Sequence, residues 1–282
     1  MFIIAEVGSN FLNLQDCLDS IAAAKECGAD CVKFQMYTHK ELYGYECEGQ
    51  GLNHLVLPGQ LPREWIPLLH AECERVGIEF MCTAFSPEGY RFIDPYVKRH
   101  KIASAENTDM DILETVKAFG KLALISTGGS TIEELVKICE FFETEPLNAC
   151  NINFMYCVSA YPAKNVNLNA IDELYEEFSP WDVDIGYSCH ERGWRTAADA
   201  VISYQVSYLE KHFKVRDMET PDNGHSINPK IFKKMVDRIR EGYWPLEPDA
   251  EIPSKQEADF IKYTKRRFIP ELGGYFRTKK PC

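Results

Sequence analysis

Residues 197–214 read AADAVISYQVSYLEKHFK. The first part, Ala197–Tyr204, is an apolar, helix-like run. The second, from Val206, reads as a strand that should lie buried beside it. Yet Glu210, Lys211, His212 and Lys214 fall within or just after that strand. Burying an unpaired charge is costly. Those groups must therefore line a solvated edge or face a site. A helix running directly into a strand is one unit of a pattern, and the number of such units decides the fold.

Eight short apolar runs read as strands: FIIAEVG, ADCVKFQMY, EFMCTAF, HKIASAE, LALISTGG, NINFMYCVS, VDIGYSCH and VSYLEKHF. Helices are expected after them over 13–27, 63–76, 87–96, 109–119, 131–143, 167–178, 193–204 and 229–241. Asp109 stands where a helix should start, and Ser130-Thr-Ile-Glu133 has capping-box spacing. Gly28 and Gly77 stand where helices should stop. Eight strand–helix units over residues 1–244 predict an α/β fold, a (β/α)8 TIM barrel. A doubly wound sheet is the alternative. It commonly carries a glycine fingerprint after its first strand, and no G-x-G-x-x-G occurs here. Residues 245–282 are Pro-rich, charged and weakly periodic, and are expected to form a C-terminal extension.

Of the 282 residues, 45% are hydrophobic and 26% charged, as in ordinary globular proteins. The formal net charge of −12 argues against nucleic acid or an anionic membrane surface as partner. Eleven cysteines, an odd number without a C-x-x-C pair, fit a reducing compartment better than a disulfide framework. The start MFIIAEVGSN lacks a basic leader, and no apolar run approaches the ~20 residues of a membrane span. A cytoplasmic location is the expectation.

Polar residues collect at the C-terminal ends of the strands, where barrels carry their active sites. They include Glu6 and Asn10, Lys33 and Gln35, Thr83, Lys101, Ser104 and Glu106. They continue with Ser126 to Gly129, Ser159 and Tyr161, Ser188 and His190, and Glu210 and His212. Any one alone reads as a satisfied core group. Together they exceed what packing explains, because barrel interiors favour branched apolar residues. His190 and His212 end neighbouring strands, as a divalent metal site with open positions would require. Glu210 shares strand parity with His212 and is expected in the same cavity; Lys211 and Lys214 are expected to face elsewhere, as a solvated or paired flank. Lys33, Lys101, Ser104, Ser126 and Ser188 offer cations and hydroxyls to an anion, and STGGST running into a helix has the form of a phosphate cradle or of a plain cap. Lys101 has the opposite strand parity to Ser104 and Glu106, so a bulge or strand end must reconcile them.

The segments IIAEVGSN, GADCVKFQ, KIASAE, ISTGGST-IEE, SAYPAKNVNLNAI, IGYSCH, LEKHF and TPDNGHSINP occur in the order and spacing of one family. Over residues 1–245 the chain resembles the N-acetylneuraminate (sialic acid) synthases. The resemblance implies condensation of phosphoenolpyruvate with an N-acetylmannosamine-like aldose, giving a 2-keto-3-deoxy sugar acid and phosphate. It implies a divalent metal, Mn²⁺ first and Mg²⁺ or Co²⁺ as substitutes, on His190 and His212. It places the phosphoenolpyruvate carboxylate on Lys33, Thr83 and Lys101 and the phosphate on Ser104, Ser126 and Ser188. Glu6, Gln35, Glu106 and Tyr161 would line the sugar side, with Glu106 handling a proton, and Asp222 would order or bind in its loop.

The sequence departs from the family at Phe11, where a His is usual, and at Cys189, where an Asp precedes the metal His. Ser159 replaces an Asn that contacts phosphate, and Tyr156 replaces a His. Family members commonly add an antifreeze-like domain that supplies an Arg to the partner subunit's acceptor site; residues 245–282 are too few for one. The basic residues of KRRF or FRTKK, or a separate antifreeze-like protein, would then replace it. A homodimer is expected. Two other readings are kept open: a metal-dependent aldolase or lyase of a pyruvate-derived keto acid, and a non-catalytic barrel subunit.

Overall fold

The structure is a computed structural model that describes residues 1–43, 59–144, 149–242, 266–269 and 274–277. Eight strands alternate with eight helices. They are β1 (Phe2–Gly8), α1 (Leu14–Glu26), β2 (Cys31–Met36), α2 (Ile66–Val76), β3 (Glu79–Ala84), α3 (Pro87–Ile93), β4 (His100–Ile102) and α4 (Met110–Ala118). The second half is β5 (Ala123–Ser126), α5 (Ile132–Phe142), β6 (Ile152–Tyr156), α6 (Asn169–Phe178), β7 (Ile185–Cys189), α7 (Arg195–Tyr204), β8 (Tyr208–His212) and α8 (Pro229–Glu241). The strands run parallel in the order β3-β2-β1-β8-β7-β6-β5-β4. The two ends of that order, β3 and β4, lie against each other. This is the expected (β/α)8 barrel, nearly closed. A short helix His39–Tyr43 and a two-stranded pair, Glu143–Thr144 with Ala149–Cys150, are additions to the expected elements.

Local chemistry sets the helix ends. Asp109 caps α4 by accepting from the amides of Asp111 and Ile112, and Gly77 ends α2 in the left-handed region. The capping box of α5 lies one residue later than its spacing suggested: Thr131 pairs with Glu134, not Ser130 with Glu133. The fourth strand is shorter than expected. It ends at Ile102, and residues 104–108 form a turn, so strand parity no longer separates Lys101 from Ser104. The nine described cysteines are free thiols.

Two units divide the chain, Met1–Gly242 and Tyr243–Cys282. In the second, Arg266–Ile269 pairs antiparallel with Gly274–Arg277. The remaining residues expected to form the extension lie outside the described residues, as do parts of KRRF and FRTKK. Among the described residues, no helix is long and apolar enough to cross a membrane.

Alternation along each strand gives the barrel interior two layers. Ile4, Cys31, Met81, Leu124 and Met155 form an apolar floor. Two residues further along the same strands stand Glu6, Lys33 and Thr83, and Ser126 follows Leu124 in the same way. The face is the same because the period is two; only the chemistry changes. Gly186 lies on the floor, where an added Cβ would sit 2.3 Å from Met155 Sδ and 2.8 Å from Tyr208 Cβ. Gly186→Ala should therefore cost about 1–3 kcal/mol of unfolding free energy by overpacking. Denaturant unfolding checks this; a loss below about 0.5 kcal/mol, the range of surface changes, would mean Met155 simply swings aside.

Candidate active site

The upper layer opens into a cavity of about 280 Å³ at the C-terminal ends of the strands. Its centre is ionic. Lys33 Nζ lies 2.9 Å from Glu6 Oε2 and 3.5 Å from Glu210 Oε2. Lys101 Nζ lies 4.0 Å from Glu210 Oε1 and donates to Ser126 Oγ at 2.6 Å. Ser188 Oγ donates to Glu210 Oε1 at 2.8 Å, and Gln35 Nε2 to Glu6 Oε1 at 2.7 Å. Lys33 also donates to Thr83 Oγ1. All four charged side chains are at most 4% exposed.

Burial and neighbours separate the two carboxyls. Burial pushes Glu6 up to about 7, helped by Glu210 and opposed by its shared Lys33. Burial also works against the charged form of Glu210, but Lys101 and Lys33 outweigh it and hold it down at about 2. Lys33 is raised despite burial, because Glu210 and Glu6 flank it. Lys101 is lowered, with burial the largest cause. One carboxyl is thus an ionised fixture and the other a proton carrier near neutral pH.

Three imidazoles stand above this layer. His190 Nδ1 bonds to the Val158 carbonyl at 2.8 Å, which leaves Nε2 toward Ser188 Oγ at 3.3 Å. The rings of His190 and His212 are 5.6 Å apart, and those of His212 and His225 are 4.2 Å apart. Tyr161 covers them, 4.3 Å from His190 and 5.1 Å from His225. His212 Nδ1 and His225 Nε2 are buried without a hydrogen-bond partner. His212, Asp222 and His225 offer donor atoms within 4.8 Å of one another. Unpartnered buried nitrogens beside a carboxylate are the donor chemistry of a divalent cation, so these residues fit a metal.

The turn after β1 fixes Asp222. Ser9 donates to Asp222 Oδ2 through its amide at 2.7 Å and its hydroxyl at 2.8 Å. Asn10 ties the same loop down, donating to Phe213 O and Ser226 Oγ and accepting from Thr220 Oγ1. Gly8, at φ +57°, must be glycine here: a Cβ would approach Asp222 Oδ2 to 2.2 Å. Phe11, the residue that stands where a His is usual, is buried edge-on to Trp65 and serves packing.

Thirteen of the expected site residues line this cavity: Glu6, Lys33, Gln35, Thr83, Lys101, Ser104, Ser126, Tyr161, Ser188, His190, Glu210, His212 and Asp222. Two do not. Ser159 bonds Ser104 Oγ at 2.9 Å and lines an adjoining cavity of about 410 Å³ with Gly128, Gly129 and Ser130. Gly128 leaves that space open, since a Cβ would lie 2.2 Å from Ser159 Oγ. Glu106 sits in the turn after β4, outside the lining of either cavity, with one buried oxygen unpartnered and burial raising it to about 7. Lys211 is a correction. It is buried rather than solvated, and its ammonium donates to the carbonyls of Cys189, Glu191 and His225. Lys214 is the paired flank, on Asp217 at 2.7 Å.

His225 escaped the sequence reading. The signal was present: Asp222 and His225 are three apart in PDNGH, and the 3₁₀ turn Pro221–Gly224 brings such positions to one side.

Burial lowers all three imidazoles, and takes His190 down to about 4. A folded-state pKa below the unfolded one means the unfolded chain protonates first as pH falls. His190 should thus withdraw stability from the metal-free protein as pH falls from 6.5 to about 4, while Glu6 and Glu106, raised to about 7, add stability as they protonate over an overlapping range. At roughly 1.4 kcal/mol per unit, His190 alone accounts for on the order of 3 kcal/mol. Denaturant titrations between pH 7.5 and pH 4 test this. A difference in stability between wild type and His190→Ala that does not change with pH would show that the ring is not held neutral.

A family model described as the NeuB family matches residues 20–244. Pseudaminic acid synthase of Campylobacter jejuni is 33% identical over 259 residues, covering 86% of this chain and 73% of that protein. N,N'-diacetyllegionaminic acid synthase of Legionella pneumophila is 31% identical over 283 residues, covering 94% and 78%. The crystal structure of N-acetylneuraminic acid synthetase from Leptospira borgpetersenii, in complex with citrate, superposes with a TM-score of 0.77 at 29% identity, covering 92% of this chain and 90% of that one.

Proposed function

The chain belongs to the NeuB family, and from that premise we propose that it condenses phosphoenolpyruvate with an N-acetylmannosamine-like aldose to give a sialic-acid-like 2-keto-3-deoxy sugar acid and phosphate. The observation that carries this reading is the pair of buried ammoniums, Lys33 and Lys101, facing one cavity beside a glycine-rich turn that leads into α5. An enol phosphate with a carboxylate at one end and a phosphate at the other needs such a divided anion site.

The residue roles proposed are those the family resemblance implies, with Glu6 and Glu210 added from their surroundings. Lys33, Thr83 and Lys101 hold the carboxylate; Ser104, Ser126 and Ser188 hold the phosphate, with Ser159 at its edge. Carbon 3 of the enol attacks the aldehyde carbon, water adds at carbon 2, and phosphate leaves with cleavage of its C–O bond. Glu210, kept ionised, is a fixed negative charge beside the carbon that turns positive. Glu6 lines the cavity at about 7 and is placed to take the proton of the attacking water. Glu106 stands outside the lining, in the turn that carries Ser104. Gln35, Tyr161 and Asp222 face the sugar side.

Charge supports a metal. The cavity sets Lys33 and Lys101 against Glu210 and Asp222, with Glu6 a proton carrier near neutral pH and the imidazoles neutral at pH 7. An anionic substrate entering that balance calls for a cation. His190 and His212 would hold a divalent ion, Mn²⁺ in the first instance, which when bound polarises the aldehyde as a Lewis acid. The protein is further proposed to work in the cytoplasm, as its nine described free thiols fit a reducing compartment. Pairing as a homodimer, or with a separate antifreeze-like protein, belongs to the same reading.

Purified protein given phosphoenolpyruvate, Mn²⁺ and a panel of aldehydes (N-acetylmannosamine, its 6-phosphate, diacetamido-trideoxyhexoses) should release phosphate with one acceptor. EDTA and His190→Ala should each abolish that release while the fold persists. No phosphoenolpyruvate binding and no release would overturn the reading. Glu6→Gln should lower kcat by about 10²–10⁴-fold and remove a limb near pH 7 from the rate profile, with phosphoenolpyruvate affinity kept. An unchanged pH profile would remove Glu6 from the proton path.

A further inference from the structure

We infer that His225 is a metal donor, so that the centre holds three imidazoles and the Asp222 carboxylate and takes a first-row transition ion in preference to Mg²⁺. The inference deepens the metal reading above and rests on it. Its ground is the placement of donors. Asp222 Oδ2 is spent on the amide and hydroxyl of Ser9, so Oδ1 is the free oxygen. That oxygen lies 3.6 Å from His225 Nε2 and 4.0 Å from His212 Nδ1. Both nitrogens are buried and unpartnered. The tightest donor group among the described residues is therefore His212, Asp222 and His225, with His190 approaching from the next strand.

His225 is held in place by its backbone. Ile227 donates its amide to the His212 carbonyl and accepts from Lys214, which extends the ladder of β8 along the loop. The buried Lys211 ammonium joins the His225 carbonyl to those of Cys189 and Glu191, on either side of His190. One cation thus sets the spacing between two of the imidazoles. A histidine that merely filled space would not need its nitrogen turned toward a carboxylate oxygen that has no other partner in that direction. Imidazole suits Fe²⁺ through Zn²⁺ far better than Mg²⁺, which prefers oxygen, and the Asp222 carboxylate extends the set to Mn²⁺.

Metal-stripped full-length protein should be titrated with Co²⁺, followed by calorimetry and by proton NMR of the loaded sample. The expected result is three hyperfine-shifted, exchangeable imidazole N–H signals in the wild type. His225→Ala should show two signals and bind Co²⁺ at least about tenfold more weakly, since even groups behind the ligands cost that much. Mg²⁺ should fail to displace Co²⁺ from the wild type. Two signals in the wild type, with unchanged affinity in His225→Ala, would overturn the inference and leave the His190–His212 centre standing. Failure of the wild type to take up Co²⁺ at all would overturn both. The wild-type signal count needs no variant, so a His225→Ala protein that does not fold leaves the test intact.

Discussion

Four charges buried in one barrel layer set the terms for the rest of this molecule. Lys33, Lys101, Glu6 and Glu210 are all but removed from water. Removing Lys33, Lys101 or Glu210 leaves an uncompensated buried charge, a loss of several kcal/mol. They come from four different strands, β1, β2, β4 and β8, so they pair only when the barrel is closed in register. The apolar floor beneath, from Ile4 to Met155, gives the closing energy; the ionic layer above makes the register specific. Function draws on the same layer, because a substrate anion must enter an electrostatic balance that folding has already fixed.

The loop after β8 continues this logic. Its Asp222 is oriented by Ser9 from the opposite end of the chain, and its His225 by the Lys211 ammonium. Lys211 is hydrogen-bonded to carbonyls alone, which is an unusual way to satisfy a buried cation, and it works because the carbonyls of Cys189 at the end of β7, Glu191 just beyond it and His225 in the next loop converge there. The site is thus tied down by hydrogen bonds on the imidazole side and open on the Tyr161 side, where 56% of that residue is exposed. Tyr161 lies over three imidazoles as an aromatic wall of the cavity.

Eight alternating units, their helix boundaries and the strand-end clustering of polar groups were legible in the sequence, because each is local. A helix cap, a 3.6-residue period or a two-residue alternation is written in neighbouring residues. The lining of the site was legible for the same reason: strand ends in a barrel meet at one mouth, so knowing the ends gives Glu6, Lys33, Ser188, His190 and His212 together. Glu106 was placed by parity on a strand that in fact stops at Ile102, and so it misses the cavity that Lys101 reaches.

What the tertiary structure alone decided is which charges face which. Lys211 is one residue from both Glu210 and His212, and its sequence gives no sign that it turns inward onto three carbonyls. His225 becomes a neighbour of His212 only because the loop folds back along β8. Glu6 and Glu210 are the same chemical group at equivalent strand ends, yet one rises to about 7 and the other falls to about 2. The reason is that Glu210 lies between two ammoniums and Glu6 shares one. Distance in space sets a carboxyl's proton affinity, and sequence holds only distance along the chain.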